Sequence, residues 1–312
     1  MGVGDASRFQ LAGILFVITY LILPLGLTLP LFHMKASVFG FVIFDEALST
    51  VGTIRRLAHE GHALPAALIL LFSVVVPFFK LGMVMVTGWR RGSTGEEGGM
   101  AAALRSTARW ATVDAFVAIL LVAAFAGATA IDIQLQAGFY AFLSYCLLSV
   151  AAAQALPAKP TMPGDRAARA VGVLLYVMAI STLVGGLALP CLHIQVPMMG
   201  LSREVTPALV ERSGPVMVLL TLAGAVPLLE FTALIADHPL ALMLGDWAMG
   251  DVFAVGIFVA YLVLNTLPST QCMLLPGAGC LAAHALLVNA ARSLMRPTEM
   301  PKGYLPVSTE SQ

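Results

Sequence analysis

Long runs of apolar residues divide this chain, and most approach the ~20 residues that a helix needs to cross a membrane. A spanning segment must be helical, because the hydrocarbon core offers no partners to backbone polar groups. Charged residues make up only 11% of the 312 residues, too few to cover the surface of a soluble protein. The runs are residues 11–31, 64–87, 111–130, 138–156, 171–190, 215–236, 251–268 and 277–294. The sequence therefore predicts an all-α polytopic membrane protein with about eight transmembrane helices.

Charge and cysteine content argue against several other functions. The 17 basic and 17 acidic residues leave no net charge, so no long-range field attracts a nucleic acid. The four cysteines include no Cys-x-x-Cys pair, which disfavours a zinc ribbon or a thioredoxin-like site. His33 and His193 alone are too few ligands for a typical metal site. We expect no cofactor, no bound metal and no enzymatic activity, because no nucleophile–base pair or phosphate-binding loop stands out.

The distribution of Lys and Arg predicts the orientation of the chain. With the N-terminus inside, the segments on that side carry eleven basic residues and the opposite segments carry five. Basic residues concentrate in cytoplasmic loops, so both termini are expected in the cytosol.

The chain carries an internal repeat. Three sequence blocks recur in the same order, and the matching pairs are 27–33 with 187–193, 64–80 with 214–230, and 110–116 with 247–253. An even number of spans per copy gives both copies the same orientation, so two parallel four-helix repeats are expected. The predicted units are a first repeat (1–156), a cytosolic linker (157–170), a second repeat (171–296) and a cytosolic tail (297–312).

Segments outside the spans carry strand patterns. Residues 33–44 place β-branched and aromatic residues around a glycine, and residues 131–135 alternate apolar with polar. The matching segments of the second repeat are 192–196 and 269–274. We therefore expect a small β-sheet on the outer face of each repeat.

Short motifs connect the chain to a known family. They are Pro77-Phe-Phe-Lys80 late in the second span, Trp110-x-x-x-Asp114-x-Phe116 at the start of the third, and its repeat Trp247-x-x-x-Asp251-Val-Phe253. These motifs resemble those of the paraquat-inducible protein A (PqiA) family of integral membrane proteins. The resemblance implies two four-helix repeats that move lipids or other hydrophobic molecules, often beside a mammalian-cell-entry-type partner. Members usually carry zinc ribbons of paired Cys-x-x-Cys; this chain lacks them, so that metal role is not transferred.

Lys80 is the sharpest candidate for a functional residue. A charge near the centre of a span costs about 2.5–3.5 kcal/mol on insertion scales, so it faces protein or water. Asp114 begins the next span at the same end, and the two side chains can form an ion pair. Alternatively, the long lysine stem lets its ammonium reach the membrane interface.

Glu230 and Asp251 occupy the equivalent positions in the second repeat. Two neighbouring carboxylates do not both ionise easily, so either one is protonated or one pairs with Lys80 across the repeat interface. The alternative is that Asp114 and Asp251 are acids of a helix start, where the helix dipole favours them.

Other residues complete the candidate set. Pro77 and Pro227 are expected to bend their helices, because proline removes a backbone donor. Trp110 and Trp247 are expected to anchor helix starts at the membrane interface. Asn265 either polarises a cavity or makes a packing or helix-end hydrogen bond.

The leading functional hypothesis is a transporter of lipids or hydrophobic solutes, or the membrane component of such a system, with membrane lipids as ligands. The alternative is a membrane scaffold that holds partner subunits without transporting anything. The transport hypothesis depends on the family resemblance alone.

Overall fold

The computed structural model describes residues 3–38, 41–91, 109–113, 115–117, 131–155, 161–162, 166–197, 201–207, 214–236, 240–266, 270–295 and 298–299. Among them, the first half of the chain contains five helices and three strands: α1 (Val3–Thr28), β1 (Pro30–Val38), β2 (Phe41–Ser49), α2 (Thr50–His59), α3 (Ala63–Leu70), α4 (Val76–Arg91), β3 (Ile131–Leu135) and α5 (Ala137–Ala155). A π-helical segment, Leu71–Val75, joins α3 to α4. A 3-10 turn, Arg109–Thr112, precedes the helical residues 113 and 115–117.

The second half follows a similar order of elements. After the short strand β4 (Thr161–Met162) come α6 (Arg166–Ala188), β5 (Leu192–Val196), β6 (Leu201–Val205), α7 (Gly214–Leu220), α8 (Val226–Ile235), α9 (Leu240–Trp247), α10 (Gly250–Leu264), β7 (Gln271–Leu274), α11 (Pro276–Met295) and β8 (Thr298–Glu299). A second π-helical segment, Thr221–Ala225, joins α7 to α8.

Each half contains a three-stranded antiparallel sheet, which confirms the expected β segments. The first sheet has the order β2-β1-β3 and the second has the order β6-β5-β7. In the first sheet, Met34 of the central strand lies opposite Glu46 and Ile133. The strand β6 was not anticipated, because its sequence, LSREV, offers few β-formers and carries two charges.

Seven helical spans among the described residues are long and apolar enough to cross a membrane, in agreement with an all-α polytopic fold. They are Gln10–Thr28, Ala63–Val84, Ala137–Ala155, Ala168–Ala188, Val216–Ile235, Met243–Leu264 and Pro276–Met295. Most of the remaining predicted span, 111–130, lies outside the described residues.

The predicted linker, residues 157–170, includes the start of a helix. Helix α6 already begins at Arg166, because the run Arg-Ala-Ala-Arg-Ala consists of strong helix formers. A two-stranded ribbon pairs Thr161 in the linker with Glu299 in the tail. The ribbon places linker and tail side by side at one end of the molecule.

Glycines allow the first and last helices of each half to pack closely. A Cβ on Gly26 of α1 would lie 2.8 Å from the Cα of Phe142 in α5, and one on Gly186 of α6 would lie 2.4 Å from the Cγ of Leu281 in α11. Both distances are too short for any side chain, so glycine is required for these helix pairs to approach.

The halves meet through side chains at matching positions of their third sequence blocks. Thr112 Oγ1 donates a hydrogen bond to Met249 Sδ at 3.3 Å. The ring centroids of Phe116 and Phe253 lie 5.1 Å apart. A contact between equivalent residues of two units is what an axis of two-fold symmetry between them produces. Residues of both halves belong to one continuous hydrophobic cluster.

Candidate functional site in the helix bundle

The helices that carry Lys80 and Glu230 are irregular at matching places. Pro77 and Pro227 are each the second residue of their helix, directly after a π-helical segment. Proline has no backbone N–H to donate into the preceding turn, and π-helical turns leave carbonyls without a regular partner. One such carbonyl, of Leu222, accepts a hydrogen bond of 2.9 Å from Met249 N–H just before α10. The irregular turn thus holds the start of a neighbouring helix.

Lys80 lies fully inside the bundle of the first half. Its side chain is 0% exposed, and its Nζ donates a hydrogen bond of 2.9 Å to Ser149 Oγ on α5. The same Nζ lies 5.9 Å from the ring centroid of Tyr145, within the range of a cation–π interaction. The ammonium of Lys80 therefore contacts protein groups inside the bundle, and the side chain does not extend to the membrane interface. Asp114, its expected ion-pair partner, lies outside the described residues, and that pair remains a prediction.

Glu230 is the centre of a buried charged cluster in the second half. Arg292 on α11 donates two hydrogen bonds to its carboxylate, from Nη2 to Oε2 at 2.7 Å and from Nε to Oε1 at 3.2 Å. The hydroxyl of Tyr176 on α6 donates to the same Oε2. Two parallel bonds to a carboxylate are the strong, orientation-specific form of an arginine ion pair. Three helices, α6, α8 and α11, are thereby connected at one point.

Neither alternative expected for Glu230, protonation beside Asp251 or pairing with Lys80, included Arg292. Arg292 lies two residues before the end of the apolar run 277–294, so the sequence predicts a basic residue at the cytosolic end of that span. Its spacing from His284 gave an available signal, because residues eight apart lie on one helix face. His284 is buried, and its Nδ1 bonds the carbonyl of Ala179 at 2.8 Å. No comparable sequence signal identifies Tyr176 or Ser149.

Asp251 lies one helix away from Glu230, in the first turn of α10. Its Oδ1 accepts a hydrogen bond of 3.0 Å from the backbone N–H of Val252, as expected of an acid at a helix start. Its Oδ2 accepts a bond of 3.2 Å from Asn289 Nδ2 on α11. The side chain is only 1% exposed, so the helix-start interpretation and the bundle-facing interpretation both describe it.

The other predicted residues lie apart from the charged cluster. Asn265 ends α10, where its Nδ2 donates to the carbonyls of Tyr261 and Cys272 and its Oδ1 accepts from Cys272 N–H. These contacts give Asn265 the role of a helix-end hydrogen bond rather than that of a polar group in a cavity. Trp110 stacks on Phe72 with ring centroids 6.4 Å apart, and Trp247 packs against the main hydrophobic cluster. Trp110 lies in the 3-10 turn Arg109–Thr112 and Trp247 is the last residue of α9, so both precede a helix and contact the protein core.

The sheet of the first half carries polar pairs of a different kind. His33 Nε2 lies 2.6 Å from Asp45 Oδ1, and Arg56 bonds both Glu46 and Glu60. The hydrogen bond to Glu60 raises the pKa of Arg56, with a further contribution from Glu46. These side chains are one third to one half exposed, and such pairs contribute little to stability. No group of three or more potential metal ligands occurs in the part of the chain that the structure describes.

Apolar helical spans, two three-stranded antiparallel sheets and ionisable side chains buried between helices define a multi-pass helical membrane protein. Residues 10–160 match the model of the family described as Paraquat-inducible protein A. This match over nearly half of the chain supports a protein of the paraquat-inducible protein A family, in agreement with the resemblance of its motifs. No curated protein and no solved structure matched it. The matched range contains Lys80 and Ser149 and ends before Tyr176, so the Glu230 cluster lies outside it.

Proposed function

We propose that this protein moves lipids or other hydrophobic molecules through or along the membrane, alone or as the membrane component of a larger system. The observation that carries the proposal is the buried cluster of Glu230, Arg292 and Tyr176 within apolar spans. Ionisable residues inside membrane spans are costly and are found mainly where a pathway or a switch requires them.

Stability alone is a weak reason for this cluster to exist. Replacement of a buried ion pair by apolar residues of similar volume is often neutral or stabilising by about 1–4 kcal/mol. Glu230 and Arg292 have side chains only 7% and 15% exposed, so both have lost most of their hydration. Apolar residues of similar volume would often stabilise the fold as well as this cluster does, so its presence supports a working role in the bundle.

We also propose that the chain consists of two equivalent repeat units and that it acts with the partners that the family resemblance implies. The matching strand orders, the π-helical segments Leu71–Val75 and Thr221–Ala225, and the Phe116–Phe253 contact support two equivalent units. Membrane lipids are the proposed ligands, and a mammalian-cell-entry-type protein is the proposed partner. No enzymatic role is proposed.

The second candidate function is a scaffold for partner subunits. The nine-residue strand β2 forms one edge of the first sheet and carries Asp45 and Glu46, whose side chains are half exposed. An edge strand offers unpaired backbone groups to an extended partner segment. This candidate predicts binding of a protein and no movement of lipid.

Reconstitution separates the two candidates. Purified protein is inserted into vesicles that contain a fluorescent phospholipid, and a membrane-impermeant quencher reports how fast inner-leaflet lipid reaches the outer leaflet. Transport predicts faster exposure than in protein-free vesicles, together with lipid that co-purifies with the protein. Exposure equal to that of protein-free vesicles, with a stoichiometric protein partner on purification, favours the scaffold.

The proposed orientation has a separate test by cysteine labelling. Burial raises the pKa of Cys191 to about 12 and that of Cys272 to about 11, so these two of the four native thiols react slowly with maleimides. A Gly95→Cys variant is expected to react only with a membrane-permeant maleimide, because the distribution of basic residues predicts that its loop is cytosolic. Labelling of that variant by an outside-only reagent would overturn the proposal that both termini are cytosolic.

A further inference from the structure

A groove opens between α6 and α8 at the end of the bundle where α6 begins and α8 ends. It has a volume of about 450 Å³ and is lined by Arg169, Ala170, Val173, Leu234 and Ile235. Four of the five lining residues are apolar, and the fifth is an exposed arginine. The groove therefore combines one cationic group with an apolar wall.

The position of the groove relative to the membrane restricts its occupant. Arg169 is the second residue of the span Ala168–Ala188, and Ile235 is the last residue of the span Val216–Ile235. The groove thus crosses the level at which hydrocarbon meets polar headgroups. A molecule held there has an apolar part on the membrane side and a polar part at the arginine. Membrane phospholipids have this division, whereas soluble metabolites do not.

We propose that the groove binds one anionic membrane phospholipid, with its phosphate at Arg169 and its acyl region against Val173, Leu234 and Ile235. An arginine at the membrane surface attracts anionic lipid, and the positive end of the α6 dipole adds to this attraction. This inference rests on the proposed function. It adds the class of lipid that binds and the place where that lipid enters the bundle.

The groove also approaches the charged cluster. Val173 lies one helical turn before Tyr176, and Leu234 lies one turn after Glu230. Tyr176 and Leu234 belong to one packed group of side chains. A lipid in the groove therefore contacts the residues that surround the Glu230–Arg292 pair, which connects lipid binding to the bundle interior.

Native mass spectrometry of the delipidated full-length protein tests the site. Phosphatidylglycerol and phosphatidylcholine are titrated separately, and inorganic phosphate serves as a soluble control. We expect one phosphatidylglycerol to bind more tightly than phosphatidylcholine, and phosphate not to compete. Arg169→Gln is expected to weaken phosphatidylglycerol binding about fivefold, the effect of one cation near an anionic surface.

Two matched pairs of variants keep the test decisive. Arg203→Gln is the control for Arg169→Gln, because it removes the same charge from β6. Leu174→Trp is the control for Ile235→Trp, because it enlarges a side chain of α6 that is 62% exposed. Both control variants are expected to bind lipid normally. Ile235→Trp fills the groove and is expected to lose most of the bound lipid. The position is 59% exposed, so this variant is expected to fold normally. Equal binding of the two lipids, or unchanged binding by both Arg169→Gln and Ile235→Trp, would overturn the site. Lipid binding without movement in vesicles would leave the site intact and contradict only the proposed transport.

Discussion

The two halves of this protein share a backbone framework and differ in what they bury at its centre. Both have a π-helical segment followed by a proline, a glycine contact between first and last helices, and a sheet with the middle strand first in sequence. The first half buries Lys80 against Ser149. The second half buries Glu230 against Arg292 and Tyr176.

This difference separates two kinds of constraint. Backbone geometry favours glycine at positions 26 and 186, because a Cβ on Gly26 or Gly186 would overlap the neighbouring helix. The buried charges face no such geometric requirement, and the halves place opposite charges, Lys80 and Glu230, at matching positions. The backbone framework is therefore what the two halves share, and the buried ionisable side chains are where they differ.

The largest expected effect comes from breaking the ion pair of the second half. Arg292→Met leaves Glu230 buried without its main partner and is expected to destabilise the protein by about 3–5 kcal/mol. Adding Glu230→Gln is expected to recover much of this loss, because no unpaired charge remains. Thermal unfolding in detergent of both single variants and the double variant measures the coupling energy.

A control keeps this result specific to the pair. Arg203→Met removes a basic side chain of β6 and is expected to shift the unfolding temperature far less. Additive effects of the two cluster substitutions would mean that Arg292 and Glu230 do not stabilise each other.

The framework itself predicts an intermediate effect. Gly26→Ala places a methyl group 2.8 Å from the Cα of Phe142, a backbone atom that cannot move aside alone. The substitution is expected to cost about 1–3 kcal/mol by overpacking. Gly13→Ala is the matched control on the same helix, because a Cβ there meets nothing within 4 Å. Equal melting temperatures for the two variants would contradict the close approach of α1 and α5.

The smallest effect is expected at the lysine of the first half. Ser149→Ala removes the hydrogen bond from Lys80 Nζ and is expected to cost about 0.5–1.5 kcal/mol, the usual net contribution of one hydrogen bond. Ser144→Ala changes an exposed serine of the same helix and is expected to be neutral. A neutral Ser149→Ala would show that this bond adds nothing to the environment of Lys80.

The sequence was sufficient to predict most of the fold. Apolar runs locate the spans, because the membrane requires helices of a fixed length. Alternation in residues 131–135 located β3, and the repeat then pointed to β5 and β7. The ribbon of Thr161 with Glu299 was not predictable, because each strand has only two residues and no pattern.

The buried ionisable residues of the two halves were predictable from the sequence, but most of their partners were not. Lys80 and Glu230 stand out as charges inside apolar runs, but their partners depend on how helices rotate against each other. Arg292 lies near the end of its run and reads equally well as a loop cation. Tyr176 is unremarkable in an apolar helix until the fold brings its hydroxyl to Glu230.

The most direct test of the account is lipid movement in vesicles by a protein whose second-half cluster has been neutralised. The double variant Glu230→Gln with Arg292→Gln keeps similar side-chain volumes and leaves no buried charge at this point. Its quenching rate is compared with wild-type protein and with Ser149→Ala, each checked for a single symmetric peak on size exclusion. The account predicts at least a tenfold slower lipid exposure for the double variant and little change for Ser149→Ala. A correctly folded double variant that moves lipid at the wild-type rate would contradict the account.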